Sequence, residues 1–463
     1  MTTARIIEPD VISLNNQFYK LAAPLRTFVA TEFPQKLITG DYTKDSSPIV
    51  STHVFNDYRG GLGVDELDIG KPDRFFYGMV DTRFKGHLLL PPLATSTGDA
   101  NSPDIAPNVI GALGAFIYAN FATAVHRWNN SSWSVALGAP LAMAGTPLDI
   151  ITIRLTDGSD TATVWLAICD GTNIYYTSDG ATWVTDSNHG AQYMAEWDGM
   201  LFTIDSTGRL RSTRTLNAAA ADNVWQIRDI LPLPASYVTD LLTGPNGDGE
   251  STLYVCTRVG LWARNPDSSK WIKTQLVIAD TENAGGGSIF WRDALYFPSG
   301  GISILEYKPL EGTIRFVGPG HDSDGGGVSS TIRGLVRRLQ GSTQDLIATI
   351  DGSVNTTEGT ILAWDSRGWR QLFRTGAFGS GAIARSGYIG SPFASTYRFY
   401  WAMSGGGTAG AVRRIDLQNE KILPKNVTGY TYNTGQEGLF TAWFDAGWSN
   451  VDKLALRLFL EVA

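Results

Sequence analysis

Residues able to do chemistry are sparse in this chain, and several sit in glycine-rich stretches. Asp157 lies close to Asp160, and the run His321-Asp322-Ser323-Asp324-Gly325 sets oxygen atoms at alternating positions. Paired carboxylates can share acid and base roles in glycoside hydrolysis, and alternating oxygens can meet one hard cation. A full Ca²⁺ loop also needs a third ligand before its glycine and a glutamate at its last position. Counted from Asp322 that position is Arg333, so the run reads as a solvated loop. The acidic stretch Gly244-Pro245-Asn246-Gly247-Asp248-Gly249-Glu250 reads as an ordinary turn. The five histidines, His53, His87, His126, His189 and His321, accompany no Gly-x-Ser-x-Gly elbow, and Gly379-Ser380-Gly381 is a loop rather than one. Gly285-Gly286-Gly287 leads into a strand, whereas a phosphate cradle needs a helix N-terminus. Arg154, Arg258, Arg333 and Arg385 fall on or beside candidate strands and could face a substrate carboxylate, but no spacing selects three of them. Trp128, Trp262, Trp364 and Tyr307 are candidates for a binding surface, with core packing as the default for each. The sequence assigns no catalytic, metal-binding or cofactor-binding residue, and no cofactor.

The elements that must position these residues repeat. A short apolar strand, a tight turn, a second strand, another turn and an aromatic-led strand recur along the chain. The closing aromatics Trp133, Trp183, Trp225, Trp271, Phe316 and Trp369 are 42 to 53 residues apart. A period in the forties built from four short strands marks a β-propeller blade. Seven copies are legible between residues 108 and 427, the seventh ending in Glu420-Lys421-Ile422-Leu423 as its fourth strand. The expected fold is all-β: a seven-bladed β-propeller with four-stranded blades. Composition agrees, since 51 glycines suit tight hairpins, while 11% aromatic and only 18% charged residues suit sheet faces packed on one another. A net charge of −8 without a long Lys/Arg cluster argues against nucleic acid as a partner. No run of about 18 apolar residues suggests a membrane span. Met1–Pro9 lacks the layout of a secretory signal, and Cys169 and Cys256, each among apolar neighbours, read as reduced core thiols.

Two segments flank the repeat. Residues 1–107 are rich in glycine and proline and read as a looping segment packed along the propeller. Residues 428–463 form a strand segment that begins a further β domain, and its last strand, Lys453 to Val462, implies pairing elsewhere or a chain continuing past Ala463. Within the second blade, Thr177-Ser178-Asp179-Gly180-Ala181-Thr182-Trp183 is similar to the Asp-box hairpin of sialidase-like propellers, though one residue short between Asp and Gly. That hairpin is structural even in enzymes, and the Arg-Ile-Pro signature is absent. The stretches Gly40-Asp41-Tyr42-Thr43-Lys44-Asp45, Arg59-Gly60-Gly61-Leu62-Gly63-Val64, Asp81-Thr82-Arg83 and Trp443-Phe444-Asp445-Ala446-Gly447-Trp448 resemble tailed-bacteriophage structural proteins with a β-propeller. The resemblance implies a non-enzymatic virion protein of a phage tail or tail tip, made in the bacterial host cytoplasm. Its partners would be copies of itself, other virion proteins and a host-surface receptor or glycan. The alternative is a carbohydrate-active propeller, either a sialidase-like hydrolase or a glycan-binding lectin.

Overall fold

The second blade shows how the sequence makes its strands. Asp149–Thr156 and Ala162–Cys169 are dominated by β-branched and aliphatic residues, which fit a pleated, packed surface, and they pair antiparallel in one continuous register. Ile174–Thr177 and Val184–Asp186 complete the blade. The computed structural model describes most of residues 57–433, together with the strands Val11–Leu14, Gln17–Lys20 and Leu439–Phe440. The stretches 64–73, 98–105, 136–142, 157–160, 266–269, 320–331, 354–358, 376–382, 394–396, 405–411 and 424–429 and some single positions lie outside it. Residues 57–442 form one compact unit; residues 1–56 with 443–463 form another, in which Val11–Leu14 pairs with Gln17–Lys20.

The larger unit is a seven-bladed β-propeller, and every blade is an antiparallel sheet of four strands. The first strands begin at Ile110, Asp149, Tyr193, Val238, Ile289, Leu335 and Ile383, and they touch one another in that order, the last meeting the first. They therefore line the axis. Seven apolar clusters hold the ring, one at each blade-to-blade contact. One joins Trp128 and Trp133 of the first blade to Tyr400 of the seventh; another joins Trp291 and Tyr296 of the fifth to Trp364 and Trp369 of the sixth. Each fully buried large side chain there contributes about 1.5–3 kcal/mol.

The seventh blade departs from the sequence reading. Its own strands are Ile383–Gly390, Arg398–Ser404 and Val412–Asp416, and the outermost is Thr95–Ser96 from the N-terminal segment, paired antiparallel as Arg413↔Ser96 and Arg414↔Thr95. Glu420 and Leu423 are not in a strand. Four strands are needed, and the last is supplied from the other end of the blade series. Thr97 continues the closure: its N–H and Oγ1 both donate to Val412 O, at 3.0 and 2.8 Å, while Trp133 Nε1 donates to Thr97 O at 3.1 Å.

The sixth blade is extended by the same segment. Gly61–Leu62 runs parallel to the outer strand Trp369–Arg374, and Arg74–Phe75 runs parallel to Gly61–Leu62. The Arg59-Gly60-Gly61 stretch owes its glycines to this contact. Gly61 has φ +69°, and a Cβ there would lie 2.2 Å from Trp369 O. Leu62 and Phe75 then enter the cluster around Trp369. Behind them the Asp81-Thr82-Arg83 run forms a buried clasp. Arg83 Nε and Nη2 donate to Asp81, the latter at 2.6 Å, and Arg370 of the sixth blade donates to Asp345 Oδ2 while lying 3.7 Å from Asp81. Burial pushes the Asp81 carboxyl up, but Arg83 and Arg370 outweigh it and hold it below the usual range. The C-terminal segment lies on the same flank. Leu439–Phe440 pairs with Tyr77–Gly78, and Pro92 bridges to Tyr432.

Gly61→Ala should lower unfolding free energy by about 2–4 kcal/mol in urea titration, because it adds both backbone strain and a backbone clash. Arg370→Met should cost about 3–5 kcal/mol by leaving buried carboxylates uncompensated. Combining it with Asp345→Leu should restore part of that loss; additive losses would show that the two side chains are not coupled.

Candidate functional site

Asp149 opens the first strand of the second blade and Asp240 is the third residue of the first strand of the fourth, Val238–Pro245, so both lie on axis-lining strands. Arg338, on the first strand of the sixth blade, lies with Nη1 3.8 Å from Asp149 Oδ1. The aspartates occupy equivalent positions. Each is cross-strand partner of a cysteine, Asp149 of Cys169 and Asp240 of Cys256. Each also accepts one N–H from its own strand and one from the next blade. Asp149 takes Ile150 N and Met194 N, both at 2.9 Å; Asp240 takes Leu241 N at 2.9 Å and Ser288 N at 2.8 Å. Both aspartates are 4% exposed. Burial, with the Asp149 charge adding to it, pushes Asp240 up to about 7 against the pull of Arg338. Burial likewise raises Asp149, against Arg338 and its two backbone donors.

A carboxyl that keeps its proton near neutrality is suited to general acid chemistry. Here, however, each of the four carboxylate oxygens already accepts a backbone N–H, and those bonds tie the inner strand of one blade to that of the next. The two thiols are free and buried, and burial pushes both well up. A second axial group joins the remaining blades. Asp351 lies 3.1 Å from Arg337 Nε and 3.5 Å from Arg385 Nε, and Arg385 Nη1 donates to Asn108 Oδ1 at the entry to the first blade.

Of the four arginines singled out in the sequence, Arg385 thus has a bridging role. Arg154, Arg258 and Arg333 are exposed and belong to the second, fourth and sixth blades. The Thr177–Trp183 hairpin is a side-chain-capped turn. Asp179 Oδ1 accepts from Thr182 N and Ala181 N at 2.7 and 2.8 Å, and these amides hold its carboxyl at about 2. Trp183 is buried edge-on against Tyr118 of the first blade. Trp128, Trp364 and Tyr307 are buried as well, and Trp262 is partly buried against the cluster between the third and fourth blades. They are packing residues, because third strands turn these faces toward the adjacent blade. His189 Nδ1 lies 3.0 Å from Asp186 and its ring stacks on Trp225, while Gly285 and Gly287 adopt positive φ where their loop meets the inner strands of neighbouring blades. Asp157, Asp160, the His321–Gly325 run, Gly379–Gly381, His53 and the Trp443–Trp448 stretch lie outside the described residues. Among the described residues no three His, Cys, Asp or Glu side chains are grouped to hold a metal ion.

The axial aspartates had a signal in the sequence that the motif reading passed over. Asp149-Ile150-Ile151 and Asp240-Leu241-Leu242 both set an aspartate before two aliphatic residues at the start of a blade.

No family model and no curated protein matches the sequence. Solved structures resemble it in fold. The extracellular domain of a putative one-component system from B. thetaiotaomicron matches with 12% identity and a TM-score of 0.50, over 76% of this chain; this chain covers 42% of the length of that one. YCF48 bound to D1 peptide matches with 12% identity and a TM-score of 0.45, over 71% of this chain and 99% of that one. A computationally designed protein, Ika8, matches with 10% identity and a TM-score of 0.42, over 70% and 99%. At such identities the likeness extends to the propeller fold.

The axial carboxyls set a pH dependence. Folded Asp240 holds its proton up to about pH 7, whereas an unfolded aspartate releases it near pH 3.9. The folded state therefore binds more protons between those values, and stability from this group falls as pH rises through them. The thermal midpoint of the wild type relative to Asp240→Asn should fall between about pH 5 and pH 8. A difference that is flat or rises would show Asp240 to be ionised across the range.

Proposed function

We propose that the protein is a non-enzymatic structural component of a virion, a tail or tail-tip protein of a tailed phage, in which the propeller is a rigid platform for assembly. The observation that carries the assembly role is the uneven treatment of the blade edges. The outer strand of the sixth blade is covered by Gly61–Leu62, and the seventh blade ends in the borrowed Thr95–Ser96. The outer strand of the third blade, Gln226–Ile230, is a sheet edge that exposes Ile227 and Ile230 at 63% and 58%, with Val224 beside it at 66%. Ile272 and Ile314 continue this exposure on the outer strands of the fourth and fifth blades. Edge strands with exposed apolar residues favour pairing with another chain. The virion setting rests on the resemblance of the Gly40–Asp45, Arg59–Val64, Asp81–Arg83 and Trp443–Trp448 stretches. The first and last lie outside the described residues, and Gly61, Leu62, Asp81 and Arg83 are among the residues that fasten the N-terminal segment to the sixth blade.

The axial chemistry supports the same reading. Its carboxylates are committed to backbone donors, and a carbohydrate-active site of the sialidase type would need several guanidiniums facing one substrate carboxylate. Partners on this reading are further copies of the chain, other virion proteins and a host-surface receptor or glycan.

Light scattering on the purified chain should give a multimer. Ile227→Asp, an exposed change expected to leave the thermal midpoint within a few degrees, should shift the population toward monomer. A wild-type monomer at high concentration would overturn the assembly role.

A further inference from the structure

We infer that the third blade carries a binding site for a small phosphate monoester, set between the end of its third strand and its bulged outer strand. A cavity of about 300 Å³ opens there, lined by Ser212, Thr213, Arg214, Thr215, Gln226 and Arg228, among others. That volume stands at the lower bound of the roughly 300–1,000 Å³ typical of ligand sites, so it holds a phosphate and a short skeleton but little more.

Local structure places both guanidiniums. The outer strand Gln226–Ile230 pairs with Arg209–Thr213, but Ile227 faces Arg211 and Asp229 faces Leu210, so Arg228 is the extra residue of a bulge. Such a bulge re-aims a side chain. Arg228 Nε donates to Ser212 Oγ at 2.7 Å, and Nη2 lies 3.5 Å from Met200 Sδ. The guanidinium is thereby oriented, while its Nη1 donates to none of the described residues. Arg214 directly follows the third strand. Its backbone oxygen accepts from Thr156 Oγ1 of the second blade at 3.0 Å, and Thr215 bridges to Thr156, so the chain is fastened at this point. The Arg214 side chain is exposed and pairs with none of the described residues.

Charge selects the ligand class. None of the described lining residues is a carboxylate. Arg211, on the same strand as Ser212, is neutralised by Asp205 at 2.9 Å. Burial lowers the neighbouring Arg264 guanidinium of the fourth blade, Asp229 opposes this, and the Arg228 charge lowers it further. Among the described residues, Arg214, Arg228 and Arg264 against Asp229 leave two positive charges. A phosphate monoester brings nearly two negative charges and three strong acceptor oxygens, whereas a carboxylate brings one charge and two oxygens. Neutral donors accompany the cations. Gln226 is exposed and Thr215 half-buried, and neither side chain is engaged by a described residue. An amide and a hydroxyl can bond either a phosphate oxygen or a hydroxyl on the skeleton. All these groups belong to one blade of one chain, so the site does not depend on the assembly role.

Isothermal titration calorimetry of the full chain at fixed ionic strength, with glucose 6-phosphate, glucose and acetate, tests the site. Saturable one-to-one binding of glucose 6-phosphate is expected, at least about tenfold tighter than glucose or acetate. Arg214→Ala is the decisive variant. Its guanidinium is exposed and has no partner among the described residues, so the thermal midpoint should hold within a few degrees while affinity drops about tenfold or more. Arg228→Lys keeps the charge but loses the fork, and should weaken binding several-fold. Lys273→Ala removes an exposed cation from the outer strand of the fourth blade and should leave affinity unchanged. No saturable binding of glucose 6-phosphate overturns the site, and so does acetate binding as tightly. Unchanged affinity in folded Arg214→Ala, or an equal loss in Lys273→Ala, overturns it too.

Discussion

Closing the ring without a covalent bond is the constraint on which the rest of this propeller depends. Seven sheets packed around an axis leave two chain ends at one blade-to-blade contact, and an unpaired outer strand there would expose backbone donors and acceptors. Thr95–Ser96 supplies the missing strand. Thr97 adds two hydrogen bonds to Val412 and receives the indole of Trp133, so one short stretch ties the seventh blade to the first. The sixth blade secures the same segment upstream through the Gly61 contact with Trp369 and the Asp81, Arg83, Arg370 and Asp345 clasp. The closing strand is thus anchored before it reaches the seam.

Buried charge is used consistently in this fold, as connection between blades. Asp149 and Asp240 each take one N–H from their own strand and one from the next, which fixes the offset between inner strands that apolar packing alone leaves free. Asp351, with Arg337 and Arg385, does the equivalent work between the sixth and seventh blades. Desolvation makes such placement costly, and Arg338 offsets part of it by facing Asp149. The raised carboxyl affinity for protons is a consequence of that arrangement and needs no catalytic purpose.

The same seam brings together groups that no single blade supplies. Arg398 and Arg414 come from adjacent strands of the seventh blade, Thr95 from the closing strand and Tyr430 from the C-terminal segment. The edges of the third to fifth blades differ in kind: they are apolar and uncovered by the described parts of the chain, which suits contact with another protein surface.

The sequence by itself determined the blades. The recurrent aromatics and the strand-turn alternation are local signals, because hairpin turns and alternating burial are decided over a few residues, and the first six blades and three strands of the seventh formed where the repeat placed them. The Thr177–Trp183 hairpin and the burial of Cys169 and Cys256 were legible for the same reason. Only the tertiary structure decided the closure. Nothing local in Thr95-Ser96 distinguishes it from loop, and its role depends on a partner more than 300 residues away. The axial site was illegible on similar grounds: Asp149, Asp240 and Arg338 lie in three different blades, and their proximity arises only when inner strands converge on one axis. Tyr430 likewise joins Arg398 and Arg414 only through the tertiary fold.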